Sequence, residues 1–134
     1  MAWFPRLSFM LMDSLQKQTV PVVTFDDVER IARREFSDEQ FSTVITLLKE
    51  YGTEAWQREC PRVQLAALKL AGGSLEKLRA QIETAKRDYR DVLAVAEFPA
   101  YCKAGFRHMR ELPEDERVRI INADWHQYHE WLRK

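Results

Sequence analysis

The 134-residue sequence contains few of the residues that break or crosslink a chain: four glycines, five prolines and two cysteines. So little glycine and proline, together with 46% hydrophobic residues, argues against a disordered protein. The sequence also has no internal repeat and no low-complexity tract. Cys60 and Cys102 are too few for a disulfide framework, and they lack the C-x-x-C spacing of a zinc or redox site. We therefore expect two free thiols in a reducing compartment, the cytoplasm, and no catalytic cysteine.

The chain also has no surplus of charge of one sign, because Lys plus Arg and Asp plus Glu both total 21. The net charge is therefore close to zero, and it gives no reason to expect nucleic acid or an anionic membrane surface as a partner. The charges are unevenly spread, with 7 basic and 10 acidic residues in 1–60 and 14 basic and 11 acidic residues in 61–134. Between Arg62 and Arg110 ten basic residues stand against five acidic ones, which favours a local basic surface.

No apolar run is long enough for a membrane span, which needs about 20 residues. The apolar start MAWFPRLSFMLM is interrupted by Pro5 and Arg6, and no small-residue cleavage site follows, so it does not fit a signal peptide. We expect residues 1–23 to form an N-terminal arm. Two alternatives stay open: the arm packs on the domain, or the true start is Met10 or Met12 and the preceding residues are an artefact.

Two stretches keep apolar residues at alternating steps of three and four, which places these side chains on one face of a helix. The stretches are Leu75, Leu78, Ile82, Ala85, Tyr89, Val92 and Ala96, followed by Val118, Ile121, Trp125, Tyr128 and Leu132. Such seams pack helices nearly antiparallel. We predict a single all-α domain over residues 24–134, with five or six helices built around a long antiparallel hairpin of Ser74–Phe98 and Pro113–Arg133.

Capping signals predict the helix boundaries. Thr24 begins a helix that ends near Phe36, Ser37 with Gln40 begins a second that ends at Gly52, and Pro61 begins a third that ends at Gly72. A shorter helical piece is predicted from Tyr101 to about Arg110. Glu83, Arg87 and Asp91 stand four apart on the long helix, where oppositely charged neighbours form surface ion pairs.

The run from Val63 to Pro99 carries a resemblance. Its distinctive pieces are Leu68-Lys69-Leu70 before the double glycine and Asp88-Tyr89-Arg90-Asp91 before Glu97-Phe98-Pro99. This segment resembles small all-helical bacterial proteins of no assigned activity. The resemblance implies a bacterial source and an all-α fold, and it transfers no catalytic residue and no cofactor.

His126, His129 and Glu130 are the candidate metal ligands, because residues three and four apart share a helix face and imidazole with carboxylate binds zinc or iron. The alternative is a solvated flank of the last helix, since Trp125 and Tyr128 occupy its apolar face. Asp88, Asp91 and Glu97 are candidates for acid–base chemistry, but surface ion pairs with Arg87 and Arg90 explain the first two. We assign no catalytic residue, metal or cofactor.

A basic strip with interleaved aromatic residues is the signature of single-stranded nucleic acid binding. The candidate residues are Arg79, Lys86, Arg87, Arg90, Lys103, Arg107 and Arg110 with Tyr89, Tyr101 and Phe106. Tyr89 lies in the apolar seam, which removes it from a stacking surface.

Trp131 lies at the border of the last helix's apolar face, where a tryptophan either covers a neighbouring loop or anchors a partner. It is the candidate interface residue. We expect a non-enzymatic bacterial protein that acts through protein–protein contacts, with a homodimer as one form. A nucleic-acid-binding accessory protein and a metal-dependent enzyme are the alternatives.

Overall fold

The computed structural model describes residues 22–134, and every regular element in that range is an α-helix. The helices are α1 (Phe25–Glu35), α2 (Asp38–Leu48), α3 (Cys60–Ala71), α4 (Leu75–Glu97), α5 (Pro99–Ala104), α6 (Phe106–Glu111) and α7 (Glu114–Arg133). The predicted all-α single domain is confirmed. The predicted arm over residues 1–23 lies outside the described residues, apart from its last two.

Residues 22–134 contain seven helices, more than the predicted five or six, because the piece from Tyr101 to Arg110 is divided. Gly105 adopts φ 91° and ψ 153°, a backbone conformation that no helix contains. Glycine reaches this conformation without a steric penalty, since it has no Cβ. The result is two short helices, α5 and α6.

The long helix α4 is interrupted at Asp88, whose φ of −157° and ψ of 99° are not helical. The Asp88 carboxylate accepts a hydrogen bond from the backbone N–H of Arg90 at 3.1 Å and so caps the turn that follows. The predicted Arg87–Asp91 pair does not form, because the break removes the four-residue helical spacing between them. Arg87 Nη2 instead donates to Thr84 Oγ1 at 3.5 Å.

The described chain forms two compact units, which we call the N-terminal unit (Val23–Ala96) and the C-terminal unit (Glu97–Lys134). Most of the predicted seam positions are buried, including Leu78 and Ala85 at 0% exposure and Tyr128 at 1%. The two helices of the predicted antiparallel hairpin, α4 and α7, belong to different units. Their pairing therefore stays a prediction.

In the N-terminal unit, α1 packs on α2 and on α3 and buries Val28, Ile31 and Ala32. The predicted capping box of Ser37 with Gln40 is present, and the predicted N-cap Thr24 forms a second capping box with Asp27. The second helix ends at Leu48, about one turn before the predicted Gly52. The buried Gln64 explains the early end, because its Nε2 donates to Leu48 O at 2.9 Å and to Tyr51 O at 3.2 Å.

The C-terminal unit is held by two side chains that bind helix ends. Asp124 is 2% exposed, and its carboxylate accepts from the backbone N–H groups of Ala100 and Tyr101, both at 3.0 Å. Arg117 Nη1 donates to carbonyls at the end of α6, those of Met109, Arg110 and Leu112. Negative charge at a helix start and positive charge at a helix end both favour the helix dipole.

Within residues 22–134, no helix combines the length and the apolar character needed to cross a lipid bilayer.

Candidate functional site

An open apolar groove lies between α1 and α2 and has a volume of about 320 Å³. It is lined by Phe25, Val28 and Glu29 of α1, by Phe41, Ile45 and Leu48 of α2, and by Lys49 and Gln64. We call it the α1–α2 groove. All of its lining residues belong to the N-terminal unit.

Phe25 stands at the edge of the groove because the start of α1 is fixed by a capping box. Asp27 Oδ2 accepts from the backbone N–H of Thr24 at 2.9 Å, so the first helical residue is Phe25. α1 buries Val28, Ile31 and Ala32, whereas Phe25, in the first turn of the same helix, is 59% exposed. An exposed aromatic ring beside an apolar groove is typical of a contact surface.

The α2 wall is formed by Phe41, Ile45 and Leu48, which follow one another at steps of four and three and therefore lie on one face of the helix. The guanidinium of Arg33 lies 3.9 Å from the centroid of the Phe41 ring, in cation–π geometry. This contact orients one face of the ring and leaves the groove side apolar.

The end of the groove at Leu48 is held by the loop that follows α2. Gln57 is buried, and its Oε1 accepts from the backbone N–H groups of Gly52 at 2.7 Å and Glu54 at 3.0 Å. Tyr51 donates from its hydroxyl to Arg58 O at 2.7 Å, and burial raises the pKa of this phenol above its usual range. The loop is therefore an ordered support for the groove.

The charges that line the groove do not form a proton-transfer pair. Glu29 accepts from Arg33 Nη2 at 3.4 Å on the outer face of α1, and Lys49 lies on the other wall. Acid–base chemistry needs two groups held in different environments at one reacting centre. The α1–α2 groove offers mainly apolar contact area.

The predicted metal ligands of the last helix contact other side chains of the same helix. His126 Nε2 lies 4.0 Å from Glu130 Oε1, and Glu130 is also bound by Arg133. The ring centroid of His129 lies 6.0 Å from that of Trp125. Among residues 22–134, no three His, Cys, Asp or Glu side chains converge as a metal site would require.

Trp131, the predicted interface residue, is half-buried, and its ring centroid lies 5.6 Å from that of Tyr128. This contact lies within the last helix. Its role as a partner anchor stays a prediction.

The predicted basic strip is divided between the two units, since Arg79 to Arg90 lie in one and Lys103 to Arg110 in the other. Two of its aromatic residues already pack within the protein. Tyr101 is 1% exposed, and the ring centroid of Tyr89 lies 6.5 Å from that of Tyr51. Lys86 binds Glu50 at 3.2 Å and Glu83 at 2.7 Å. Phe106, the third aromatic residue, is exposed, and the guanidinium of Arg110 lies 4.8 Å from its ring centroid. Nucleic acid binding therefore stays an untested alternative.

The acidic candidates of α4 do not come together as a catalytic pair. Asp88 binds Arg90 Nε at 3.0 Å, and this hydrogen bond holds the pKa of the Asp88 carboxyl below its usual value. Asp91 is exposed, whereas Glu97 is buried at the end of the helix. Cys60 and Cys102 are half-buried, and neither forms a disulfide.

Sequence reasoning missed Phe25 and with it the groove. The available signal was an aromatic residue in the first turn of α1, directly after the helix cap and three residues before Val28. The walls themselves could not be foreseen, because they depend on how α1 and α2 pack.

No protein-family model matches the chain, and comparison with curated proteins and with solved structures gives no match either. Functional inference therefore depends on the residues of this chain.

Proposed function

We propose that the protein acts through protein–protein contacts, by binding a helix of a partner protein in the α1–α2 groove. The observation that supports this function is the exposed Phe25, 59% accessible at the edge of an apolar groove. Aromatic residues in apolar pockets contribute most of the binding energy in many interfaces.

A helix is the ligand that suits the shape of the groove. The walls come from two consecutive helices joined only by Phe36 and Ser37, and a third helix packs on such a pair by inserting its apolar ridge. The anchors of such a ligand follow one another at steps of three and four residues, which matches the spacing of Phe41, Ile45 and Leu48.

The charge of this part of the chain favours a basic partner. Residues 24–59 carry nine acidic and five basic side chains. The three arginines of α1 already bind Asp27, Glu29 and Glu35 at 3.3–3.6 Å. Asp38 is exposed, and its spacing of three residues from Phe41 places the two on one face of α2. Basic flanks on the ligand helix would complement this surface.

The proposal is tested with a displayed library of amphipathic helical peptides of roughly 18 residues, about five turns. Peptides enriched on the wild-type protein are titrated against it and against two variants. Phe25→Ser removes the ring at the groove, and Phe106→Ser removes an exposed ring that is distant in sequence and belongs to the C-terminal unit.

We expect Phe25→Ser to weaken binding at least about tenfold, since loss of an aromatic anchor commonly costs about 2 kcal/mol. Phe106→Ser binds like wild type, and the enriched peptides share an apolar stripe with basic flanks. Enriched peptides that bind Phe25→Ser as tightly as wild type would contradict a function based on this groove.

A further inference from the structure

Gln64 is the one polar residue in the run 63–68 of α3, in which every residue is buried. It is 4% exposed and lines the α1–α2 groove. The other residues of the run are apolar, as is usual for a buried stretch of helix. A polar side chain at such a position needs hydrogen bonds to replace water, so the partners of its amide group decide what it can do.

The amide nitrogen of Gln64 is bound within the protein. Nε2 donates to Leu48 O at 2.9 Å and to Tyr51 O at 3.2 Å. Both acceptors are backbone carbonyl oxygens, so only the NH2 group can face them, and this requirement fixes the orientation of the amide. Both hydrogens of Nε2 are then used, and Oε1 is the atom left to bind something else.

The amide oxygen of Gln64 is an available acceptor. Within residues 22–134 it accepts no hydrogen bond. It is not fully enclosed either, in contrast to buried polar atoms such as Trp125 Nε1. Because Gln64 is otherwise buried and lines the α1–α2 groove, the small exposed part of this side chain faces the groove. The groove therefore holds an uncharged acceptor among mainly apolar side chains.

We propose that Gln64 selects the partner helix. Its Oε1 accepts a hydrogen bond from one neutral N–H or O–H donor of the ligand, a Ser, Thr, Asn or Gln side chain placed among the apolar anchors. This inference rests on the proposed groove function and adds a chemical requirement on the ligand. An entirely apolar ligand would cover Oε1 and separate it from water without supplying a donor. Leaving a buried acceptor unpaired is costly, so Gln64 acts mainly by rejecting such ligands.

Lys49 is the reason why the donor is neutral. It follows Leu48, whose carbonyl Gln64 binds, and it lines the same groove. Lys49 is exposed and forms no ion pair within the described part of the chain. A cationic donor would stand near this ammonium group and would lose water opposite a neutral acceptor, both of which are unfavourable. Basic residues of the ligand therefore belong to its flank near Asp38, the first residue of α2.

The library of amphipathic helical peptides tests this requirement when it is selected separately on wild type, Gln64→Met and Gln81→Met. Methionine keeps the length of glutamine and removes its hydrogen-bonding atoms. Gln81 lies in α4 and does not line the groove, so its variant is the matched control. Gln64→Met also loses the two hydrogen bonds at the end of α2. Circular dichroism and urea unfolding therefore check that it is folded before selection.

We expect peptides enriched on wild type and on Gln81→Met to share one Ser, Thr, Asn or Gln within the apolar stripe. Peptides enriched on Gln64→Met lack it. Changing that residue of the peptide to an apolar isostere, Thr to Val or Gln to Met, weakens binding to wild type about tenfold and leaves binding to Gln64→Met unchanged. Entirely apolar stripes on wild type, or an isostere that weakens binding to both proteins equally, would overturn the proposal.

A second measurement needs no change in the protein, in case Gln64→Met does not fold. NMR of wild type compares the side-chain amide signals of Gln64 and Gln81 when the donor peptide or its apolar isostere is bound. Only the signal of Gln64 should differ between the two complexes. An identical Gln64 signal in both complexes would overturn the proposal.

Phe25→Ser separates this inference from the groove function. If the enriched peptides require Phe25 and have entirely apolar stripes, the Gln64 requirement is refuted and the groove function stands. If the enriched peptides bind Phe25→Ser as tightly as wild type, the groove function is refuted, and the Gln64 requirement is refuted with it.

Discussion

Asp124 is a buried carboxylate whose two oxygens each accept one backbone N–H from the start of α5. A short helix of six residues has few hydrogen bonds of its own, so this side chain does much to hold it in place. Burying a carboxylate is unfavourable unless such donors replace water. The geometry explains why an acidic residue is tolerated at 2% exposure.

Replacing Asp124 by Ala should lower the free energy of unfolding by about 1.5–3 kcal/mol, the usual effect of losing hydrogen bonds to a charged group. The variant also leaves two N–H groups without their acceptor. Urea unfolding measures the change. The exposed Asp91→Ala serves as control and should stay within about 0.5 kcal/mol of wild type. An equal effect at both positions would show that Asp124 does not organise α5.

Burial raises the pKa of the Tyr101 phenol to about 12. The unfolded chain has a phenol pKa near 10, so the unfolded state loses this proton first as the pH rises. The stability linked to Tyr101 is therefore fully present below about pH 10 and is lost as the pH approaches 12. Urea unfolding between these values should show a steeper loss of stability for wild type than for Tyr101→Phe. Identical pH dependence in the two proteins would contradict the raised pKa.

The turn between α3 and α4 contains two glycines that differ in what surrounds them. A Cβ at Gly73 would lie 3.2 Å from Glu35 O, and φ there is +85°, whereas a Cβ at Gly72 meets nothing within 4 Å at φ +56°. The left-handed conformation costs an L-residue about 1–2 kcal/mol. Gly73→Ala adds contact with backbone at the end of α1, which cannot move away as a side chain would.

Gly72→Ala should therefore destabilise by about 1 kcal/mol and Gly73→Ala by about 2–3 kcal/mol. Thermal and urea unfolding of the pair measure the difference directly. A Gly73→Ala variant as stable as Gly72→Ala would show that α1 does not pack closely against this turn.

Helix α4 provides a matched test of the predicted seam. Leu78 is 0% exposed and Val95 is 45% exposed on the same helix. Leu78→Ala should cost about 2–5 kcal/mol, because it leaves a cavity. Val95→Ala should stay close to the range of ordinary surface changes, about 0.5 kcal/mol. If urea unfolding gave similar changes in the free energy of unfolding for the two variants, the apolar seam of α4 would not be part of the core.

At the scale of elements, the sequence predicts what depends on local chemistry. The capping boxes at Thr24 and Ser37 are present, as is the turn at Gly72, because each needs only residues a few positions apart. The break at Asp88 was missed, since its Asp–Arg contact resembles an ordinary surface pair. The early end of α2 depends on Gln64, which lies 16 residues beyond Leu48, and no local pattern contains that information.

At the scale of the whole molecule, the all-α class follows from the apolar spacing, and the proposed binding surface does not. The sequence predicts candidate sites on the last helix, because Trp131 and two histidines lie close together there. The α1–α2 groove instead arises where two helices with unremarkable patterns meet, beside an aromatic residue left outside the core. A surface of this kind depends on tertiary packing, which residue spacing does not encode.

Amide hydrogen exchange, with and without a peptide enriched on the wild-type protein, tests the central claim most directly. If the α1–α2 groove binds the partner helix, exchange slows in Phe25–Glu35 and Asp38–Leu48 and is unchanged in Glu114–Arg133. The same peptide gives no protection in Phe25→Ser. Protection confined to the last helix around Trp131, with α1 and α2 unaffected, would contradict the account and assign the contact to that helix.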